Sequence, residues 1–564
     1  MARVTFLPGG TSIDVAAGTT ILAAARQAGV LIESPCNCAG TCGKCRVQVD
    51  PAWHHRIRQA AHHDVTVDDQ AKGTVLACVT EVLDDIEVFL PSSARQPAAM
   101  QIIGQGKALD VIADAAIRKR YDPLLQRTDV LALNRQTGEE ECLGSETGNT
   151  VADLWGVVVD IGTTTLVVSL VSLHTGQETA KSSALNPQSL HAQDVLSRIK
   201  LAGEPQGLER LYAGLIGELH DLIGQVCRQS GVDRRQIYEV VFSGNTCMLH
   251  LATGQDPTSL GRYPYDPLER GGRVIEAQAH GLAIAPWGRI YLPPIISAYV
   301  GADITAGVVA AELASRVGTT LFVDIGTNGE MILARDGRLL ATSTAAGPAF
   351  EGMNIACGMR AAAGAVERFT VEDDGTLSVE TIGQAPAVGI CGSGLIDLVG
   401  ELVRHGVLQP TGRWADPGRT QLLPALAERL QPREGKTVFY VDGDVYLTQK
   451  DVRQVQLAKG AVRAGIEMML KREGLTLADV DQVLIAGSFG YHLRARSLID
   501  IGLLPADFAG KIEFVGNTAL TGGQALLVHE PLRTTAQAWV DTVDVVELAH
   551  DPGFDRVFVE SLNF

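Results

Sequence analysis

The pattern of hydrophobic and polar positions divides the chain at about residue 155. Before that point, short segments alternate apolar and polar positions, at residues 3–7, 46–49 and 85–90. Such alternation predicts strands with one buried face, and a helix is predicted from Thr19 to Gln27, ending at Gly29. After residue 155, continuous apolar runs lead into Gly/Thr turns and helical segments, which is typical of buried strands in an α/β sheet.

The α/β part contains an internal duplication. Residues 157–165 (VVVDIGTTT) are echoed by residues 321–330 (LFVDIGTNGE), and residues 240–246 (VVFSGNT) by 483–490 (VLIAGSFG). A weaker echo pairs residues 301–305 with 516–520. Three paired segments in the same order predict two lobes built from one repeated unit.

Residues 93–150 differ from both parts. Their first residues are rich in Pro, Ser and Ala, and residues 135–149 are mostly polar. This composition predicts a linker followed by a connector with at most a small accessory unit. The expected domains are therefore residues 1–92, 93–150, 151–316 and 317–564.

Composition excludes several classes of function. The 564 residues are too many for one core, and a formal net charge of −18 argues against a nucleic-acid partner, which requires a basic surface. No window of about 18 apolar residues predicts a membrane span. The first residues lack a signal-peptide pattern, which favours the cytoplasm as the expected location. In a cytosolic chain, the ten cysteines are not expected to form a disulfide framework.

Five of the cysteines cluster between residues 36 and 78. Cys36, Cys42 and Cys45 follow a C-x5-C-x2-C spacing, and Cys78 lies far downstream. Three thiolates in one loop with a distant fourth is the plant-type arrangement for a [2Fe–2S] cluster. A structural zinc site is the alternative, but it usually takes two short Cys/His pairs, and only one CxxC is present. Cys38 could replace Cys36 as a ligand.

The two repeated Asp-x-Gly-Thr hairpins predict a phosphate site. An Asp at the end of a strand can bind Mg²⁺ directly or through water, while the glycine and threonines that follow offer N–H and hydroxyl donors to phosphate oxygens. Each hairpin alone is a weak signal, but two hairpins can hold the same phosphates from opposite lobes. The P-loop pattern GxxxxGK[ST] is absent from the sequence.

These motifs carry two resemblances. Residues 1–92 resemble a β-grasp [2Fe–2S] ferredoxin, and residues 155–564 resemble the superfamily of acetate and sugar kinases, Hsp70 and actin. The second resemblance implies two RNase-H-like lobes with ATP in the cleft. It also implies roles in binding the nucleotide and its phosphates for Asp160, Gly162, Thr163, Thr164, Asp324, Gly326, Thr327, Asn328, Gly487, Ser488 and Lys459. Asp303 and Glu330 are candidates for activating water or binding Mg²⁺.

The order of the two modules resembles the reductive activators of corrinoid proteins. Residues 186–188, 347–352 and 389–394 are also similar to stretches of that family. The resemblance implies an ATP-hydrolysing iron–sulfur oxidoreductase that reduces Co(II) to Co(I) in the corrinoid protein of a methyltransferase system. It further implies a reductase or ferredoxin as electron donor, and it is compatible with a homodimer. The loop around Ser343 is expected to face either the corrinoid partner or the nucleotide cleft.

Three other functions are compatible with the residues. One is an activator of a radical dehydratase or a CoA-ester reductase, although such activators place a [4Fe–4S] cluster between subunits. Another is a small-molecule kinase with a redox-sensing ferredoxin domain, which would form a phosphorylated product. The last is an electron carrier without ATP turnover, against which the intact hairpin aspartates argue.

Overall fold

The computed structural model describes residues 1–564 except 31, 33, 35–37, 39, 41–42, 60–64, 66, 91–110, 135–137, 373, 417–419 and 488–492. Within these described ranges, none of the helices combines the length and the apolar character that a bilayer-spanning segment requires.

The N-terminal module is a five-stranded sheet in the order β2-β1-β7-β3-β5, with β4 and β6 paired beside it. Its elements are β1 (Ala2–Leu7), β2 (Thr11–Val15), α1 (Ile21–Gln27), β3 (Arg46–Val49), β4 (Ile57–Gln59), α2 (Val67–Ala71), β5 (Thr74–Leu76), β6 (Thr80–Val82) and β7 (Ile86–Phe89). The Thr20 hydroxyl caps α1 by accepting from the Ala23 N–H, and Gly29 follows the helix at φ +70°. The predicted strands and the glycine stop are confirmed.

A small antiparallel sheet follows, in the order β10-β9-β8. Its strands are β8 (Ile117–Asp122), β9 (Arg127–Asn134) and β10 (Glu139–Thr147). Glu146 accepts a hydrogen bond from the Tyr238 hydroxyl, and Glu141 pairs with Arg289 at 2.9 Å. The polar run predicted as a connector therefore includes a strand, and two of its acidic side chains, Glu141 and Glu146, contact the neighbouring lobe.

Lobe I is a six-stranded sheet in the order β13-β12-β11-β14-β16-β15. Its elements are β11 (Trp155–Ile161), β12 (Thr165–Ser172), β13 (Glu178–Leu185), α3 (Val195–Ala202), α4 (Gly207–Ser230), β14 (Ile237–Gly244), α5 (Thr246–Ala252), β15 (Arg273–Glu276), β16 (Arg289–Leu292) and α6 (Ala302–Ala310). Strand β11 pairs in antiparallel fashion with β12 and in parallel with β14. Every residue of β14 is buried, as its continuous apolar pattern predicts.

Lobe II repeats this plan in a sheet ordered β27-β26-β17-β18-β19-β28. The sheet and its helices are β17 (Thr319–Asp324), β18 (Glu330–Arg335), β19 (Arg338–Ser343), α9 (Gln449–Arg472), β26 (Gln482–Ala486), α10 (Ala495–Asp500), β27 (Ile512–Gly516), α11 (Thr518–Val528), α12 (Pro531–Val540), β28 (Asp544–Val546) and α13 (Phe554–Glu560). Between β19 and α9 lie β20 (Ala365–Val371), β21 (Leu377–Thr381), β22 (Gly389–Ile390), α7 (Gly392–Arg404), α8 (Pro424–Ala427), β23 (Leu430–Arg433), β24 (Lys436–Asp442) and β25 (Val445–Thr448). Strand β17 pairs with β18 and β26 just as β11 pairs with β12 and β14.

Helices α6 and α11 join the lobes by packing against each other. A Cβ atom at Gly522 would lie 1.8 Å from the carbonyl oxygen of Ala306, so the two backbones approach too closely for a side chain at this crossing. Both helices begin in the third repeated sequence segment. One apolar cluster then runs through the small sheet and both lobes, including Ile117, Val158, Phe322 and Leu527. The hairpins are thereby held on facing sides of one cleft.

Candidate functional site

A cavity between the lobes is lined by both repeated hairpins. Its lining includes Asp160, Gly162, Thr163, Thr164, Asp303, Asp324, Gly326, Thr327, Asn328, Glu330 and Gly487. Each hairpin follows a buried strand, β11 or β17, so its polar residues start where the sheet ends. The structure thus brings together residues that lie more than 300 positions apart in the sequence.

The first hairpin is held by side chains from several elements. Asn517 Nδ2 donates to Asp160 Oδ2 at 2.7 Å, and Asn245 Nδ2 donates to Thr163 Oγ1 at 3.1 Å. Arg198, with no exposed surface, donates from Nη2 to the Thr163 carbonyl. Because every one of these partners is fixed in a helix start or a buried segment, the hairpin keeps its shape without a ligand.

The second hairpin is held mainly by backbone contacts. The Gly347 N–H donates to the Thr327 carbonyl at 2.9 Å, and the Thr344 N–H donates to the Asn328 carbonyl at 3.1 Å. Among side chains, Asn328 Nδ2 donates to Glu330 Oε1 at 3.1 Å. This hairpin therefore depends on the segment after β19 for its position.

Four of the carboxyl groups that line the cavity, those of Asp160, Asp303, Asp324 and Glu330, have raised pKa values. Withdrawal from water raises the pKa of Asp160 to about 6, although the hydrogen bond from Asn517 opposes the shift. The same desolvation, with repulsion from neighbouring carboxylates, raises the pKa values of Asp303 and Asp324 to about 7 and that of Glu330 well above its usual range. Such a cluster favours binding of a cation, which would offset the repulsion.

In the described part of the chain, no three His, Cys, Asp or Glu side chains converge closely enough to form a metal cage. Mg²⁺ does not require one, because it commonly keeps several waters and takes one or two carboxylates together with nucleotide phosphates. The dispersed carboxyl groups of this cavity fit that mode of binding, and they do not fit a dedicated all-protein site.

Two of the predicted cluster ligands meet in the N-terminal module. Cys45 and Cys78 are both buried, and their sulfur atoms lie 3.2 Å apart. The Cys38 sulfur lies 4.0 Å from Arg26 Nη2 and 3.9 Å from Ser34 Oγ. Two converging thiols fit a group that binds several thiolates at one place. Cys36 and Cys42 lie outside the described residues.

The loop that carries Cys45 contacts lobe II. Lys44 Nζ donates to the Gly358 carbonyl at 2.9 Å and lies 3.5 Å from the Ala356 carbonyl oxygen. The next residue after this lysine is a predicted cluster ligand, and Arg360 lines the cavity only two positions beyond Gly358. The two chemical centres are therefore connected through a short stretch of chain.

Family models match almost the whole chain. They are described as the 2Fe-2S iron-sulfur cluster binding domain, over residues 4–83, the RACo middle region, over 155–316, and the C-terminal domain of RACo, the ASKHA domain, over 318–564. The solved structure of a reductive activator for corrinoid,iron-sulfur protein is 30% identical, with a TM-score of 0.72, and the match covers 100% of this chain and 98% of that one.

The chain belongs to the family of reductive activators of corrinoid proteins. It is also 28% identical to the corrinoid activation enzyme RamQ of Eubacterium limosum, across 98% of this chain and 97% of RamQ. A [Co(II) methylated amine-specific corrinoid protein] reductase of Methanosarcina barkeri is 24% identical across 67% of this chain and 70% of its own length. The predicted fold, a ferredoxin domain followed by a two-lobed ATPase domain, is confirmed.

Some residues singled out in the sequence lie elsewhere in this activator. Lys459 is not among the cavity-lining residues; its Nζ donates to the Asn563 carbonyl and lies 5.4 Å from the centre of the Phe564 ring. Its face of α9 packs on the C-terminus, so the expected contact with adenosine is corrected. Asp194 caps α3. Ser343 ends β19, opposite Glu330 of β18. Ser488 falls outside the described residues.

Sequence reasoning about the activator missed several site residues. Glu351 and Arg360 line the cavity, while Arg198 and Asn517 support the first hairpin. For Glu351 a signal was available, because the Gly-Pro-Ala-Phe-Glu-Gly stretch combines turn residues with one isolated acid. Arg198 stands in an ordinary helical pattern, from which no such role can be predicted.

Proposed function

We propose that this chain uses ATP to drive one-electron reduction of a corrinoid protein from Co(II) to Co(I). The observation that carries the proposal is the presence, in one chain, of two converging buried thiols and a two-lobed cleft lined by repeated Asp-x-Gly-Thr hairpins. The names of RamQ and of the Methanosarcina barkeri reductase support a corrinoid protein as the partner. We place that partner in a methyltransferase system.

The cluster is proposed to be bound by Cys36, Cys42, Cys45 and Cys78. When bound, a plant-type [2Fe–2S] group supplies single electrons at a potential of about −400 mV. The protein around it buries Cys45 and Cys78 and holds their sulfur atoms 3.2 Å apart. One electron leaves this module and enters Co(II), which becomes Co(I), and an external reductase or ferredoxin restores the electron.

ATP is proposed to bind in the cleft with Mg²⁺. Thr163, Thr164, Thr327 and the hairpin N–H groups would bind phosphate oxygens, while Asp160 and Asp324 would hold Mg²⁺ through its waters. Asp303 and Glu330 are proposed to orient the attacking water, and Gly487 to contact adenosine. Gly162, Gly326 and Asn328 would shape the two phosphate loops, and we leave Lys459 out of the site.

ATP is needed because transfer to a low-potential acceptor is unfavourable without an additional source of free energy. If the nucleotide-bound form binds the Co(I) protein more tightly than the Co(II) protein, the difference in binding shifts the acceptor potential. Each tenfold difference corresponds to about 59 mV for one electron. The domain division into residues 1–92, 93–150, 151–316 and 317–564 is part of this proposal, since each sheet falls within one of these ranges. A cytoplasmic location and a homodimer stay predictions.

The test mixes the reduced holoprotein with corrinoid proteins, with and without Mg-ATP, and follows the absorbance of Co(II) and Co(I). We expect Co(I) only when ATP is present. A Cys78→Ser variant should lose the visible absorbance of the cluster and all electron transfer but keep ATP binding. Cys227→Ser, at a buried cysteine of α4, is the matched control and should keep both. Co(I) formation by Cys78→Ser would contradict the proposed donor.

A further inference from the structure

A segment of lobe II, residues 351–360, reaches both the nucleotide cleft and the ferredoxin module. It starts at Glu351, which ends a 3₁₀ turn over Pro348–Glu351. It includes Gly358, which accepts from Lys44, and it ends at Arg360 in the cavity wall. We call residues 351–360 the bridging segment.

Glu351 closes the cleft between the two hairpins. The Thr164 hydroxyl of lobe I donates to Glu351 Oε2 at 2.5 Å, and the Thr327 hydroxyl of lobe II donates to Oε1. These hydroxyls belong to the two proposed phosphate loops. The carboxylate therefore accepts from donors that a nucleotide phosphate would also need.

A phosphate and the Glu351 carboxylate cannot use these donors together. Both are anions and acceptors, so their proximity is opposed by charge repulsion as well as by competition for the two hydroxyls. Binding of ATP at the hairpins therefore requires the Glu351 side chain to leave its position. In the structure, the Glu351 carboxylate occupies the space between the two phosphate loops and accepts hydrogen bonds from both.

Arg360 offers a counter-charge to the incoming phosphates. Arg360 lines the same cavity, and its buried Nε has no hydrogen-bond partner within the described part of the chain. The salt bridges found among described residues do not include this arginine. A guanidinium in a cavity wall is suited to phosphate oxygens because its planar donors match them.

The bridging segment is packed tightly enough to transmit a shift. A Cβ atom at Gly352 would lie 2.5 Å from the Met359 carbonyl oxygen, so the backbones of residues 352 and 359 are in direct contact. The Met359 N–H donates to the Ile390 carbonyl at 2.8 Å. These contacts connect the Glu351 end of the segment with Gly358, where Lys44 is bound.

We propose that the Glu351 carboxylate occupies the phosphate-binding space between the two hairpins, and that ATP displaces it. The displacement is then transmitted through the bridging segment to the loop that carries Lys44 and Cys45. This inference rests on the proposed function and adds to it the residues that couple its two centres. Arg360 moves onto the phosphates as Glu351 leaves. The Lys44–Gly358 contact then changes, and the position of the loop that carries Cys45 changes with it.

The first test measures binding of Mg-AMPPNP to the holoprotein by calorimetry. Glu351→Gln should bind the nucleotide roughly 3–10-fold more tightly, because a competing charge is removed. Arg360→Gln should bind it about tenfold more weakly. Glu372→Gln, at an exposed acid of the same lobe, is the matched control and should equal the wild type. Unchanged or weaker binding of Mg-AMPPNP by Glu351→Gln would overturn the proposal that Glu351 competes with the phosphates. It would indicate instead that Glu351 helps to bind the nucleotide directly.

The second test follows hydrogen exchange of residues 43–49 and 351–360 with and without Mg-AMPPNP. In the wild type and in Lys72→Met, an exposed-lysine control on the same module, both segments should change their exchange. In Lys44→Met only residues 351–360 should change, with nucleotide affinity kept. The proposed coupling is overturned if the exchange of residues 43–49 changes equally in Lys44→Met and in the wild type. It is also overturned if the exchange of these residues does not change in the wild type.

Failure of this inference can be told apart from failure of the proposed function. The function fails if the wild-type holoprotein with Mg-ATP forms no Co(I). The inference fails if the wild type forms Co(I) while Glu351→Gln binds the nucleotide like Glu372→Gln, or while Lys44→Met shows the same hydrogen exchange as Lys72→Met.

Discussion

The two phosphate hairpins share a sequence pattern and a strand pairing, but their surroundings differ. In lobe I, Asp160 accepts a hydrogen bond from Asn517, and the Thr163 carbonyl accepts from buried Arg198. In lobe II, desolvation and repulsion from Asp160 raise the pKa of Asp324 to about 7, and the backbone of the segment after β19 supplies most of the support. Duplication preserved the backbone plan, whereas the neighbouring side chains diverged.

This difference indicates that the two hairpins have different roles in binding the nucleotide and its cation. The lobe I hairpin is held in place before a ligand binds, because Asn517, Asn245 and Arg198 contact it. In the lobe II hairpin, desolvation and repulsion from Asp160 raise the pKa of Asp324, and a bound cation would offset that repulsion.

Asp324→Asn should lower the rate of ATP-dependent Co(I) formation at least about 100-fold, because a proposed Mg²⁺ partner is lost. The same change should raise the free energy of unfolding of the nucleotide-free protein at pH 8. The folded pKa of about 7 lies above the ordinary value of 3.8, so the aspartate costs stability as pH rises between them. Single-turnover kinetics and thermal unfolding measure the two effects. A variant with normal ATP-dependent reduction would refute the site.

Arg198→Met should destabilise lobe I by about 3 kcal/mol, because the carbonyls of Thr163 and Ala192 would lose a buried charged donor. Nucleotide affinity should fall with it. Arg235→Met, which removes an exposed arginine paired with Asp233, is the control and should cost well under about 1 kcal/mol. Denaturant unfolding gives both values. Equal losses of stability in Arg198→Met and Arg235→Met would contradict the interpretation that Arg198 holds the lobe I hairpin in place.

Mg²⁺ should stabilise the nucleotide-free protein more at pH 8 than at pH 6, by about 1–2 kcal/mol. Asp303 and Asp324 have pKa values raised to about 7, so they are mostly protonated at the lower pH and ionised at the higher one. Ionised carboxylates repel one another until a cation binds. Thermal melts with MgCl₂ or KCl at matched ionic strength measure the difference, and equal Mg²⁺ stabilisation at both pH values would contradict it.

Asn517→Ala should have the smallest effect. Its Nδ2 donates to Asp160 and holds the pKa of that carboxyl below the value that desolvation alone would give. Removing the donor should shift the acidic limb of the ATP hydrolysis profile upward by less than about one pH unit. A downward shift, or a loss of activity as large as that of Asp324→Asn, would mean that the asparagine contacts the nucleotide itself.

The parts of this molecule that the sequence predicted are those specified locally. The strand–hairpin repeats and the C-x5-C-x2-C spacing depend on neighbouring residues, so both could be recognised without a structure. The acidic strand β10 was read as part of a connector because its partners, such as Arg289, come from a distant segment. Glu351, Arg360 and Lys44 acquire their positions only when the lobes and the ferredoxin module are assembled. Lys459 was misassigned because a helical pattern does not specify which neighbour a face meets.

The proposed function depends most on the coupling between ATP cleavage and electron transfer, and one experiment measures both reactions. Phosphate release and Co(I) absorbance are followed together in the reduced holoprotein, with the Co(II) corrinoid protein added or omitted. We predict that the corrinoid protein raises the rate of phosphate release and that Co(I) appears only as ATP is consumed. Equal Co(I) formation without ATP, or hydrolysis that is indifferent to the corrinoid protein, would contradict the account.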